Sequence, residues 1–212
     1  MLWNCTNKFL LALCAVYLAG CFGGGLRQDV AIQGEQEQVH APVPASVQRE
    51  YTAAIEHMNA NEDDAAAAQL EQFIAANPDY PGAYVNLAII YARQNRTDEA
   101  IWLLNRALQA NPESVQALNR LGLVNRQQGQ FDEAEAAWLA AISADPEYAY
   151  AWYNLGVLYD LYLQDLPAAL DHYRQYQRVA GEAEQDEVVS RWIADLERRL
   201  GTPAQAAQAR ED

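Results

Sequence analysis

Lysine is nearly absent from this chain. Lys8 is the only one, and every later cation is an arginine. Together the basic residues number 14 against 29 carboxylates, a formal net charge of −15. Phosphate backbones are held by basic surfaces, so nucleic acid is excluded as a partner. Cysteine is scarce: Cys5, Cys14 and Cys21, and none beyond. The remainder can form neither a disulfide scaffold nor a thiolate metal site. The three histidines, His40, His57 and His172, are far apart and lack metal-ligand spacing. The apolar run Phe9 to Leu18 is too short to span a bilayer. A Gly-rich phosphate loop, an HExxH element and a nucleophile–base pair are also missing. No catalytic residue, metal or cofactor is therefore expected, and the chain reads as a non-enzyme.

What is present is a repeat. Residues 81–114 read PGAYVNLAIIYARQNRTDEAIWLLNRALQANPES, and residues 115–148 read VQALNRLGLVNRQQGQFDEAEAAWLAAISADPEY. Leu87 aligns with Leu121, Ala88 with Gly122, Ala100 with Ala134, Ala107 with Ala141 and Pro112 with Pro146. Each copy predicts two amphipathic helices, in the first roughly 82–94 and 97–110. Leu87, Ile90 and Tyr91 share one face; Ala100, Leu103, Leu104 and Ala107 share another. The small residues let the two backbones approach closely. Thr97 reads as an N-cap before acidic Asp98 and Glu99, and Asn111-Pro112 ends the unit. Trp102 and Trp138 are expected to pack between helices.

Two weaker copies flank this pair. In residues 47–80, Ala66, Leu70, Phe73 and Pro78 fit the second half, while Glu50, Ala53, Ala54 and His57 depart from the first. Tyr51 and Ile55 are expected to supply packing there. In residues 149–183, Trp152, Leu155, Gly156 and Tyr159 align, and Ala169, Tyr173 and Tyr176 align only after one inserted residue, expected in a turn around 162–166. A final helix is predicted over 185–200, with a stripe of Val188, Val189, Trp192, Ile193, Leu196 and Leu200, a Gly201 stop and a frayed tail over 201–212. It reads as a cap on the fourth unit, the alternative being a docking helix for a partner.

This pattern resembles the tetratricopeptide repeat (TPR) family. The resemblance implies an all-α, right-handed solenoid of about four helix-turn-helix repeats plus a C-terminal capping helix. It also implies a concave groove lined by positions 2, 5, 6, 9, 12 and 13 of each repeat. Carried over, the second repeat supplies Gly82, Val85, Asn86, Ile89, Ala92 and Arg93; the third supplies Gln116, Asn119, Arg120, Leu123, Arg126 and Gln127; the fourth supplies Tyr150, Tyr153, Asn154, Val157, Asp160 and Leu161. Amides for a peptide backbone, Tyr and Ile as anchors and Arg for a carboxylate suit an extended or helical peptide. The chaperone-tail clamp of some family members is broken here by Val85 and Ile89.

The first twenty residues read as an address. A charged start, a short apolar core and Leu18-Ala19-Gly20-Cys21 resemble the lipobox of bacterial lipoproteins. That resemblance implies cleavage before Cys21 and acylation of its thiol; Phe22 after it favours the outer membrane. The other reading is an ordinary secretory signal. Residues 21–46 then form a tether, with flexible Gly23-Gly24-Gly25 and stiffer Pro42 and Pro44, spanning about 25–30 Å as a random coil. The expected function is an outer-membrane-anchored, periplasm-facing scaffold. It would hold a periplasmic or envelope protein or peptide during assembly of a TonB/ExbB/ExbD-like or type IV pilus complex. Tyr153–Leu163, Ala169–Tyr176 and Arg191–Leu200 resemble lipoproteins of the TonB-like group. The alternatives are an adaptor for peptidoglycan enzymes and a self-associating homodimer.

Overall fold

Each unit of the sequence folds as a pair of helices joined by a tight turn. The computed structural model describes residues 44–181 and 187–208. The pairs are α1 (Ala45–Asn59) with α2 (Asp63–Ala76), α3 (Pro81–Arg93) with α4 (Thr97–Ala110), α5 (Val115–Gln127) with α6 (Phe131–Ala144), and α7 (Ala149–Val157) with α8 (Leu166–Ala180). A last helix, α9 (Glu187–Gln208), packs on α8. The described residues are all-α, as the repeat implies. No described helix is long and apolar enough to cross a membrane.

The turn inside each pair pivots on one left-handed residue: Asn61 (φ 58°), Asn95 (φ 58°), Gly129 (φ 78°) and Gln164 (φ 56°). Asn and Gly enter this region more readily than other residues. A backbone bond closes each turn, from Glu62 N–H to His57 O (2.9 Å), Arg96 to Tyr91 (2.8 Å), Gln130 to Asn125 (2.9 Å) and Asp165 to Tyr159 (2.9 Å). The fourth closure is one residue longer. The inserted residue thus lies before the pivot, not in the turn around 162–166. It is absorbed as a π-helical segment, Leu158–Leu163, that continues α7. Widening the hydrogen bonds from i→i+4 to i→i+5 accommodates one extra residue without breaking the helix.

Small against large fixes how closely each pair packs. Counting each repeat from residues 47, 81, 115 and 149, position 8 is Ala54, Ala88, Gly122 and Gly156, so Ala54 fits the pattern and is not the departure expected. Facing it on the second helix are Leu70, Leu104, Trp138 and, after the insertion, Tyr173. All eight positions are core residues or glycines of the interface. Where the large partner is a leucine, the small one is alanine; where it is a ring, only glycine fits. A Cβ on Gly122 would lie 2.5 Å from the Trp138 indole, and one on Gly156 would lie 2.4 Å from the Tyr173 ring.

Several expectations are corrected. Thr97 is the first helical residue of α4, and Arg96 holds the N-cap place without a side-chain cap bond. The Asn95 pivot and the Arg96 backbone bond already close that turn. Trp102 is 60% exposed, whereas Trp138 is fully buried. Trp102 lies off the Ala100–Leu103–Leu104–Ala107 stripe that meets the core. Helix α1 begins at Ala45, inside the stretch 21–46 expected as a tether, most of which lies outside the described residues. Gly201 is not a stop: α9 runs on to Gln208, so the expected tail over 201–212 is helical as far as Gln208. Gly201 does not turn left-handed, and a lone glycine costs a helix only about 1 kcal/mol. The left-handed glycine is Gly181 (φ 71°), where α8 ends in place of an Asn-Pro pair. The capping role stands: Val189, Ile193 and Leu196 are buried against Val157, Ala169, Leu170 and Tyr173, while Val188 faces outward.

Replacing Gly156→Ala should lower unfolding stability by about 1–2 kcal/mol, the strain against Tyr173 outweighing the helix propensity gained. Urea denaturation followed by circular dichroism measures it. A stability equal to or above the parent would contradict this packing.

Candidate binding groove

The first helices of the repeats line a common groove because Cβ atoms at positions 2, 5, 6 and 9 project to one side of each helix. The cavity has a volume of ≈ 780 Å³. Tyr51 comes from α1; Pro81, Gly82, Val85, Asn86 and Ile89 from α3; Gln116, Asn119, Arg120 and Leu123 from α5; Tyr150, Tyr153 and Asn154 from α7. Ser114 and Tyr148 enter from the junctions between repeats. A second cavity of ≈ 380 Å³ adjoins it, sharing Ile89, Arg120 and Leu123 and adding Ala92, Arg93 and Gln127.

The expected groove residues divide accordingly. Asn86, Ile89, Asn119, Arg120, Leu123, Tyr150, Tyr153 and Asn154 line the larger cavity, and Arg93 lines the smaller. Val157 lines neither, since α9 covers it. Arg126 lines neither as well: its guanidinium sits 5.9 Å from the Trp138 ring centroid and 5.6 Å from that of Tyr162. The π-helical segment brings Tyr162 to it. Cys21 lies outside the described residues. Tyr51, Ser114 and Tyr148 were not among the expected residues. Tyr51 occupies position 5 of the first repeat, so the same positional rule, applied there, finds it. Its ring also packs on Phe73 and Tyr80, at 5.4 and 4.8 Å between centroids.

The floor is internally bonded. Buried Asn119 accepts at Oδ1 from the Trp138 indole N–H (3.1 Å) and from the Asn154 amide (2.8 Å). Both lone pairs of that oxygen are thereby used, so Asn119 supports the groove and does not offer its carbonyl to a ligand. Asn86 donates to the Tyr51 hydroxyl at 2.5 Å. Burial pushes the Tyr51 phenol up, with Tyr80 adding and the Asn86 bond opposing. Burial also raises the Tyr148 phenol, against the pull of Arg120 and a bond from Asn119. Both hydroxyls stay neutral at physiological pH and keep their hydrogen-bonding capacity.

The charge distribution is lopsided. The chain carries 29 carboxylates, yet among the described residues none lines either cavity. Arg93 is paired with Asp63 at 3.1 Å. Arg120, which reaches both cavities, has no ion-pair partner among the described residues. Between the apolar surfaces of Val85, Ile89 and Leu123 and the phenols of α7, one uncompensated guanidinium faces the space.

Comparison with known proteins accords with this architecture. Residues 51–115 and 103–137 match the family model described as tetratricopeptide repeat, and residues 124–161 match a second model described as TPR repeat. Together the matches run from 51 to 161, half of the chain. Solved structures with the same fold include MamA protein, at 19% identity over 77% of this chain and 87% of that chain, TM-score 0.64. MamA from Desulfovibrio magneticus RS-1 (residues 41 to its end) gives 18% identity over 77% and 90%, TM-score 0.63. Pseudomonas aeruginosa PilF gives 19% identity over 77% and 72%, TM-score 0.66. No curated protein sequence matches.

Asn119→Leu strands the Trp138 and Asn154 donors and should cost about 2–3 kcal/mol of stability, while Arg120→Ala should change it by less than about 0.5 kcal/mol. Urea unfolding of the two variants separates these roles. Equal stabilities would show that Asn119 is not a structural support.

Proposed function

The chain belongs to the tetratricopeptide repeat family, and on that premise we propose that its groove holds an extended segment of a partner protein, with a partner carboxylate on Arg120. As a TPR scaffold the protein acts in protein–protein interaction. The observation that carries the finer reading is the acid-free groove of an acidic chain, with Arg120 at the junction of both cavities. A guanidinium receives a carboxylate through two parallel hydrogen bonds, and the half-enclosed setting strengthens them over those of an exposed pair. Gln116, Asn86 and the Tyr150 and Tyr153 hydroxyls supply partners for a peptide backbone, and Val85, Ile89 and Leu123 offer apolar contact.

The scaffold works at the periplasmic side of the outer membrane, held by lipid on Cys21. What supports this is the Leu18-Ala19-Gly20-Cys21 tetrad after a short apolar run, and a polar, Gly- and Pro-containing stretch before the first helix. The partner then belongs to an envelope complex, of the TonB/ExbB/ExbD or type IV pilus kind.

Site-specific photo-crosslinking in the native cell tests the groove. Probes at Gln116 and Tyr150 should give a discrete adduct, and a probe at exposed Glu133 on α6 should not. Arg120→Glu in the same chains should reduce the adduct about tenfold. Equal adducts from all three sites, or no effect of Arg120→Glu, would overturn the reading. Cys21→Ser should move the protein from the membrane to the soluble fraction; unchanged membrane association would overturn the anchor alone.

A further inference from the structure

A third cavity, of ≈ 460 Å³, shares no residue with the groove. It lies mainly on the second helices α2 and α4, where Trp102, Ile74 and Leu103 form apolar walls and Glu71, Asp98 and Glu99 contribute charge. No lysine or arginine is among its lining residues.

The repeat supplies its own control. Trp102 stands at position 22, where the other repeats carry Ala68, Ala136 and, after the insertion, Asp171. Repeat packing therefore needs no large side chain there. An indole that is 60% exposed stabilises little by burial, yet tryptophan is enriched among residues that dominate interfaces. Its surroundings are held in place. The Tyr91 hydroxyl donates to Glu71, and the Gln128 amide donates to Asp98 at 3.1 Å. Those donors are neutral, so neither bond brings a positive charge to the cavity. Among the described residues only Glu99 of the three meets a cation, Arg96 at 3.1 Å, whose guanidinium also lies 3.5 Å from the Tyr91 ring centroid.

We propose that this cavity is a second docking site, taken by a protein partner through a lysine or arginine flanked by apolar side chains. The aliphatic stem rests on Ile74 and Leu103, and the cationic head lies over the Trp102 face between Glu71 and Asp98. Charge selects this occupant. An acidic segment or an anionic lipid surface is repelled by Glu71 and Asp98, which meet no cation among the described residues, on a chain of net charge −15. A second copy of this chain carries the same repulsive net charge. The inference stands independently of the groove, and a chain with both sites occupied would bridge two partners.

The test uses the full-length chain labelled with 5-fluorotryptophan, with the Trp102 fluorine resonance identified by Trp102→Phe. The probes are acetyl-Leu-Arg-Leu-amide, acetyl-Leu-Gln-Leu-amide and acetyl-Leu-Glu-Leu-amide. The arginine peptide should shift the Trp102 resonance saturably and leave that of Trp138 in place. The glutamine peptide should bind about fivefold more weakly, and the glutamate peptide more weakly still. Glu71→Gln with Asp98→Asn keeps the acceptors for Tyr91 and Gln128 and should weaken the arginine peptide about fivefold. Equal shifts from all three peptides, no shift of Trp102, a shift of Trp138 instead, or undiminished binding by the neutralised chain would each overturn the proposal.

Discussion

The distance between the two helices of each repeat governs everything built on them. That distance is set where position 8 meets the large residue of the second helix. Alanine and leucine hold the matching positions in the core of the first two repeats, and glycine faces tryptophan or tyrosine in the last two. The summed volume is roughly conserved while its division changes, which is how close-packed interiors tolerate substitution. Because one helix pair cannot bury its apolar faces alone, each repeat also stacks on the next. The groove-lining helices are neighbours because of that stacking. α9 ends the series by covering Val157 and Tyr173.

The same residue that fills the interface in the third repeat also fixes the groove. Trp138 packs its five-membered ring, Nε1 included, on Gly122 and donates the N–H of that nitrogen to Asn119. Asn119 in turn holds Asn154 of the next repeat. Packing and groove geometry are thus coupled through a short chain of contacts across three helices. Buried polar groups are costly unless bonded, so this network favours one arrangement of α5, α6 and α7. On that rigid floor Arg120 has no ion-pair partner among the described residues. An acidic protein with no described carboxylate lining its groove presents there a local field opposite to its net charge.

Much of this was legible in the residues because packing repeats with the sequence. Helix spans, the small–large positions and the one-residue slip all follow from the 34-residue period. The slip was misplaced by about one turn. Aligned letters show that a residue has been added, but not whether a turn or a widened helix absorbs it. The left-handed pivots Asn61, Asn95, Gly129 and Gln164 decide that question, and Gln164 carries no turn signature. Residues placed by position do line the cavities where neighbouring repeats are alike. They failed at Val157, where the cap replaces a fifth repeat, and at Arg126, where the π-helical segment supplies Tyr162. Trp102 was expected in the core because it is large, although its place off the apolar stripe already pointed outward. The N-terminal features, Cys21 included, remain readings of sequence.

A double-mutant cycle on Gly122 and Trp138 tests the size-matching account most directly. Unfolding free energies would be measured for Gly122→Ala, Trp138→Leu and the two combined. The account predicts that Gly122→Ala destabilises the chain when Trp138 is present, and is neutral or stabilising when residue 138 is leucine, as in the first two repeats. The same cost for Gly122→Ala in both backgrounds would contradict it.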